Sequence, residues 1–200
     1  MSVPPLIRPR AVLFDMDGTL TQPMLDFPRI KAEMGIGSGP ILESMAKLEE
    51  QARKKAETVL LQHEEIAAEE SHLNAGCLDL LKWLSDARIP VAVVTRNSRL
   101  SADTVMRRHG LELSVRITRE DGPFKPSPFP LELACRRLGV AGEQTWMVGD
   151  GQYDVEAAIA AGMRSVWISY GKSRSFIAEP WLTARDLIEL LDIMKRAENS

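Results

Sequence analysis

Four short apolar runs, AVLF (11–14), VAVV (91–94), WMV (146–148) and SVWI (165–168), constrain this chain more than any other feature. None alternates apolar with polar residues, so each reads as a strand buried on both faces rather than one with a wet side. Helical patterns lie between them. Cys77, Leu80, Leu81, Leu84 and Ala87 recur at helical spacing, and residues 98–109, 128–138 and 152–161 each close on a glycine, at Gly110, Gly139 and Gly162. Strand alternating with helix means an α/β fold, a parallel sheet with helices on both faces. A weaker run, LSVRIT (113–118), carries Arg116 and reads as an edge strand. Thr183 and Asp186 suggest a capping box for a last helix, which Leu187, Leu190, Leu191 and Met194 would pin to the sheet.

Two hundred residues with 44% hydrophobic content suit one domain, or one domain with a small insertion. Lys and Arg number 25 against 28 Asp and Glu, so no field of one sign points to nucleic acid or an anionic membrane, and the expected partner is small. The first ten residues, MSVPPLIRPR, are broken by prolines and resemble neither a signal peptide nor a membrane span, which leads to a cytoplasmic expectation. Cys77 and Cys135 form no CxxC pair and sit in apolar helical patterns, as buried reduced thiols do.

Residues 21–75 interrupt the alternation between the first strand and its helix. They contain no strand-like run, and Ile41, Met45, Leu48, Ala52, Ala56, Val59 and Ile66 recur at helical spacing among charges such as KLEEQARKK. A solvated helical hairpin or a dimer-forming helix would have this composition. Position is more telling, because the insertion leaves just after the first strand and must overhang whatever that strand presents.

The first strand presents two carboxylates, Asp15 and Asp17, before Gly18 and Thr19. Alternate residues of an extended chain point the same way, about 6.6 Å apart, and like charges so placed repel unless a cation, a proton or a substrate lies between them. Ligands of such sheets bind beyond the carboxyl ends of the strands. There the chain also places TRNS (95–98), FKPSP (124–128) and GDGQYD (149–154). Singly, each has a plain explanation: Thr95 as a helix cap, Lys125 as a solvated loop lysine, Asp150 and Asp154 as acids complementing a helix dipole. Jointly they bring a hydroxyl, an ammonium and four carboxylates to one rim, which such explanations do not account for.

DMDGTL, VVTRN, KPSP and GDGQYD, in this order, resemble the four motifs of the haloacid dehalogenase superfamily of phosphohydrolases. The resemblance spans residues 10–20 and 76–170, and AAIAAG (157–162) is similar to phosphoglycolate-phosphatase-like members. It implies a Rossmann-like core formed by residues 1–20 and 76–200, a short helical cap at 21–75, and Mg²⁺-dependent hydrolysis of a small phosphorylated metabolite. Asp15 would be the nucleophile of an aspartyl-phosphate intermediate and Asp17 the general acid and base. Asp15, Asp150 and the main chain of Asp17 would hold the metal, with Asp154 as a direct ligand or a support for bound water. Gly18, Thr95 and Lys125 would bind the phosphoryl oxygens, with Asn97 beside them.

Arg96 stands where related phosphatases often have Asn, and reads equally as a contact for a second anionic group of the substrate or as a solvated arginine. Gly151 replaces a frequent Ser. Asp17 speaks against dehalogenase and phosphonatase chemistry, whereas a phosphomutase would keep both aspartates; a non-catalytic scaffold using the helical insertion is the reading from a different class. Monomer and homodimer are both compatible with the sequence.

Overall fold

The computed structural model describes residues 7–198. In chain order its elements are β1 (Ala11–Phe14), α1 (Phe27–Met34), α2 (Ile41–Met45), α3 (Glu50–Glu70), α4 (Cys77–Asp86), β2 (Val91–Val94), α5 (Arg99–His109), β3 (Val115–Ile117), α6 (Phe129–Leu138), β4 (Thr145–Gly149), α7 (Gln152–Ala160), β5 (Arg164–Ile168), β6 (Leu182–Ala184) and α8 (Leu187–Glu198). Six strands form one parallel sheet in the order β3-β2-β1-β4-β5-β6, with Leu13 opposite Ala92 on one side and Met147 on the other. β3 is an edge, as Arg116 suggests, and the expected Rossmann-like α/β architecture is present.

Strand alternation sorts the core onto two faces. Val12, Phe14, Val93, Trp146, Val148 and Val166 pack with α4, α5 and α8, while Leu13, Ala92, Val94, Ile117 and Met147 pack with α6 and α7. Both faces are therefore dry, and β1 and β4 are buried along their whole length. Cys77 and Cys135 are buried free thiols. Among the described residues no helix is long and apolar enough to cross a membrane.

The end of the chain differs from the sequence expectation. Thr183 does not open a helix; it lies in β6, paired in register with Trp167. Asp186 is the residue that caps α8, its Oδ1 accepting from Glu189 N at 2.8 Å. A three-residue edge strand has too little periodicity to be read from sequence, which is why the pattern alone starts the cap at Thr183 rather than at Asp186.

The insertion is helical, with α1, α2 and α3 around a small core of Ile30, Ile41, Met45, Ala56 and Leu60. α1 has no counterpart in the sequence reading. The buried stripe of α3 is Ala56, Leu60, Glu64 and Ala68, and the expected Ile66 is instead 55% exposed. Ala52 also faces solvent, one turn ahead of Ala56, where the buried row begins. The two connections are bonded to each other: Gln22 N donates to His72 O, Asn74 N donates to Leu20 O, and Thr21 bridges Leu73.

Beyond β3, Asp121 fixes the turn that leads toward Lys125. It accepts from Thr118 N at 2.9 Å and pairs with Arg99 and Arg137 at 2.6 and 2.9 Å. Burial works against its charge, but these partners outweigh it and hold the carboxyl down at about 2. A depressed pKa stabilises the fold above the unfolded value of about 3.9, and that contribution fades as pH falls toward 2. Asp121→Asn is expected to lower stability by about 1 kcal/mol at pH 7, the arginines being partly solvated. Urea unfolding of both proteins should show the difference shrinking below about pH 4; a difference independent of pH would contradict this assignment.

Candidate active site

β1 and β4 are neighbours, yet the chain continues from β1 to one edge of the sheet and from β4 to the other. That divergence opens a crevice beyond their carboxyl ends, where ligands of doubly wound folds bind. The crevice is a cavity of about 390 Å³ whose floor includes Asp15, Asp17, Gly18, Thr95, Lys125 and Asp150. Strand ends thus bring together all four loops singled out in the sequence.

Asp15 extends β1, its N–H donating to Val148 O at 2.9 Å. Met16 turns into the core, so Asp15 and Asp17 flank a buried residue. The turn that follows is tight, with Thr19 N and Thr21 N both donating to Met16 O. Gly18 has φ +82°, and a Cβ there would lie 2.7 Å from Asp150 Oδ2. Only glycine lets the β1 loop approach Asp150 this closely. Burial, then the neighbouring Asp15 charge, pushes the Asp17 carboxyl up to about 7, and the same two causes in the same order raise Asp150.

Lys125 is not a solvated loop residue. Its side chain is 1% exposed, with Nζ 2.8 Å from Asp15 Oδ1 and 2.6 Å from Asp154 Oδ1. Burial opposes the ammonium, but the two carboxylates prevail and hold its pKa above the ordinary lysine range. Asp154 also accepts from Gly151 N at 3.0 Å, so each of its oxygens has a protein partner. Gly149 makes room for it: a Cβ there would sit 2.2 Å from Asp154 Cγ.

Thr95 is buried, and its Oγ1 accepts from Asn97 N at 3.1 Å. It does not cap α5. Ser98 does, its Oγ accepting from Ser101 N. Asn97 lines the cavity, and its carbonyl accepts from Arg119 N.

Arg96 lines the cavity and is held by protein groups rather than solvated. Its Nη2 meets Glu43 Oε1 and Oε2 of α2 at 2.9 and 2.8 Å, and its Nη1 donates to Lys125 O. The guanidinium stands over the rings of Tyr153 and Phe124, 4.3 and 4.8 Å from their centroids. It is neither solvated nor available to a ligand without displacing Glu43.

Glu64 has no place among the sequence-predicted site residues, yet it lines the cavity. Buried on α3, it accepts from Ser98 N at 3.0 Å and pairs with Arg119, tying the insertion to the start of α5. A glutamate continuing the apolar row of Ala56 and Leu60 was the available signal, although its partners lie 34 and 55 residues away.

Oxygens of Asp15, Asp150 and Asp154 lie within 4.8 Å of one another, and the close approach permitted by Gly18 makes this a fitting oxygen cluster for a hard divalent cation. Such an arrangement can gather an anionic group and a cation beside Asp17, a carboxyl able to carry a proton near neutral pH.

Residues 9–162 match the family model described as haloacid dehalogenase-like hydrolase. The chain is 31% identical to a haloacid dehalogenase-like hydrolase domain-containing protein of Arabidopsis thaliana, covering 79% of this chain and 68% of that one. It is 28% identical to a phosphoglycolate phosphatase of Chromobacterium violaceum, over 93% and 96% of the two chains. The solved structure of a phosphatase of this kind from Thermococcus onnurineus is similar, with a TM-score of 0.70 and 26% identity over 92% of this chain and 97% of that one.

Removing Lys125 leaves the buried Asp154 and the partly buried Asp15 without their shared partner, which costs stability as well as function. Lys125→Met is expected to lower unfolding free energy by about 3 kcal/mol in metal-free buffer. Urea denaturation checks it, and unchanged stability would show that the lysine is not integral to the folded site.

Proposed function

We propose a covalent mechanism of phosphomonoester hydrolysis for this chain, which belongs to the haloacid dehalogenase-like hydrolases. It is a phosphoric monoester hydrolase by its kinship with named phosphatases. The observation that carries the mechanism is the buried Lys125 ammonium between Asp15 and Asp154, beside an Asp17 whose carboxyl is pushed up to about 7.

Asp15 attacks phosphorus, forming an acyl phosphate as the bond to the leaving oxygen breaks. Asp17 gives its proton to that oxygen, then takes one from the water that attacks phosphorus and frees Asp15. Its raised pKa supports this role, since a carboxyl near 7 can both give and take a proton at neutral pH. Lys125 and the Thr95 hydroxyl hold non-bridging oxygens, and the backbone turn at Gly18 brings main-chain donors beneath them.

Asp15, Asp150 and the main-chain carbonyl of Asp17 would hold Mg²⁺, which when bound supplies positive charge against the phosphoryl oxygens. Asp154, with both oxygens engaged, serves chiefly to orient Lys125 and the β4 loop. Residues 21–75 act as a cap whose helices roof the cavity, over a core of 1–20 and 76–200. The substrate is a small phosphorylated compound.

Hydrolysis of an aryl phosphate should require Mg²⁺ and cease in EDTA. Asp15→Asn should reduce kcat/KM on the order of 10⁴-fold while the circular dichroism spectrum stays that of the folded protein, although losing one of the two anions around Lys125 lowers the melting temperature. Near-normal turnover by Asp15→Asn, or full activity in chelator, would overturn the mechanism.

A further inference from the structure

The cavity has two chemically unlike halves. Its floor is polar and comes from the loops of the sheet. Its roof comes from the insertion and is largely apolar, with Leu25 ahead of α1, Phe27 on α1, Ile41 and Leu42 on α2, and Leu60 on α3. Phe27 is 49% exposed although it faces the cavity, so a large ring stands there with much of its surface uncovered.

The charged groups near this roof are mostly spent. Glu64 is engaged by Arg119 and Ser98 N, and Arg96 by Glu43. Beneath the roof, a second anionic group on the substrate would have to displace Glu43 from a bidentate pair or lie against apolar side chains where its desolvation goes uncompensated; only at the rim would it meet Lys31 or Arg174. An apolar body gains by burial in the same place. About 390 Å³ is also in the range of pockets that enclose a ligand well beyond a two-carbon acid.

Resting on the phosphomonoesterase reading above, we propose that the leaving group is an alcohol with an apolar body, an extended alkyl chain or an aromatic ring, rather than a short acid. The chain therefore differs in substrate class from the relatives named as phosphoglycolate phosphatases. The residues that would speak for an acid are Lys31 of α1, a half-buried ammonium at the edge of the cavity, and Arg174 in the loop between β5 and β6, an exposed guanidinium on the same rim.

The test is kcat/KM of the Mg²⁺-loaded full chain for methyl, butyl, hexyl and 2-phenylethyl phosphate, with phosphoglycolate as the acidic comparison. Specificity should rise about two- to fourfold per methylene along the alkyl series. Hexyl and phenylethyl phosphate should exceed phosphoglycolate by at least about tenfold. Competitive inhibition by the corresponding non-hydrolysable alkylphosphonates should tighten in the same order. Phe27→Ala and Leu42→Ala, at partly exposed positions that tolerate truncation, should flatten both trends. Hydrolysis with a flat series, or with phosphoglycolate foremost, whether through Lys31 or Arg174, overturns this inference alone. Release of phosphate from no member overturns it together with the phosphatase reading.

Discussion

The Lys125 ammonium, buried between Asp15 and Asp154, is the interaction on which the site depends. Taking a lysine out of water costs several kcal/mol unless anions meet it, and here two do. Those anions come from the ends of β1 and the start of α7, so the charge requirement of one side chain locks three separate segments together. Behind it, the Lys125 carbonyl accepts from Arg96, and Arg96 is held by Glu43 of the insertion. A single network therefore runs from the acidic floor to the helical roof.

The sheet makes this network possible. Adjacent β1 and β4 point their carboxyl ends the same way while the chain departs to opposite edges, leaving a crevice that no helix fills. Two dry faces hold β1, β2 and β4 rigid, and polar residues stand only where these three strands begin or end. The glycines at 18 and 149 then allow approaches that a Cβ would block, to Asp150 and Asp154 respectively. Rigid strands carry the reactive groups, and the insertion supplies the walls of the cavity.

Much of this was legible in the sequence because its signals are local. Uninterrupted apolar runs marked the four longer strands or their cores, a weaker run around Arg116 marked β3, and the Asp15, Thr95, Lys125 and Asp150 loops fell at strand ends, where the fold places ligands. What was not legible depends on distant partners. Arg96 looks like a surface arginine until Glu43 is brought to it by α2, and Glu64 looks like one more charge on α3 until Arg119 and Ser98 meet it. β6 gained its structure by pairing with β5, since Leu182–Ala184 has too few residues for a pattern. α1 was missed although Asp26 caps it by accepting from Arg29 N and Gly35 closes it in the left-handed conformation, a start and stop with only Ile30 fully buried between them.

The central claim is that Asp15 becomes covalently bonded to phosphorus, and chemical quenching during turnover tests it most directly. Enzyme mixed with a ³²P-labelled phosphomonoester and stopped in acid within milliseconds should carry label on the peptide containing Asp15. Hydroxylamine should release that label, as expected of an acyl phosphate, and Asp15→Asn should acquire none. Stoichiometric label on a different residue, or sustained phosphate release with no labelled protein at any quench time, would contradict the account.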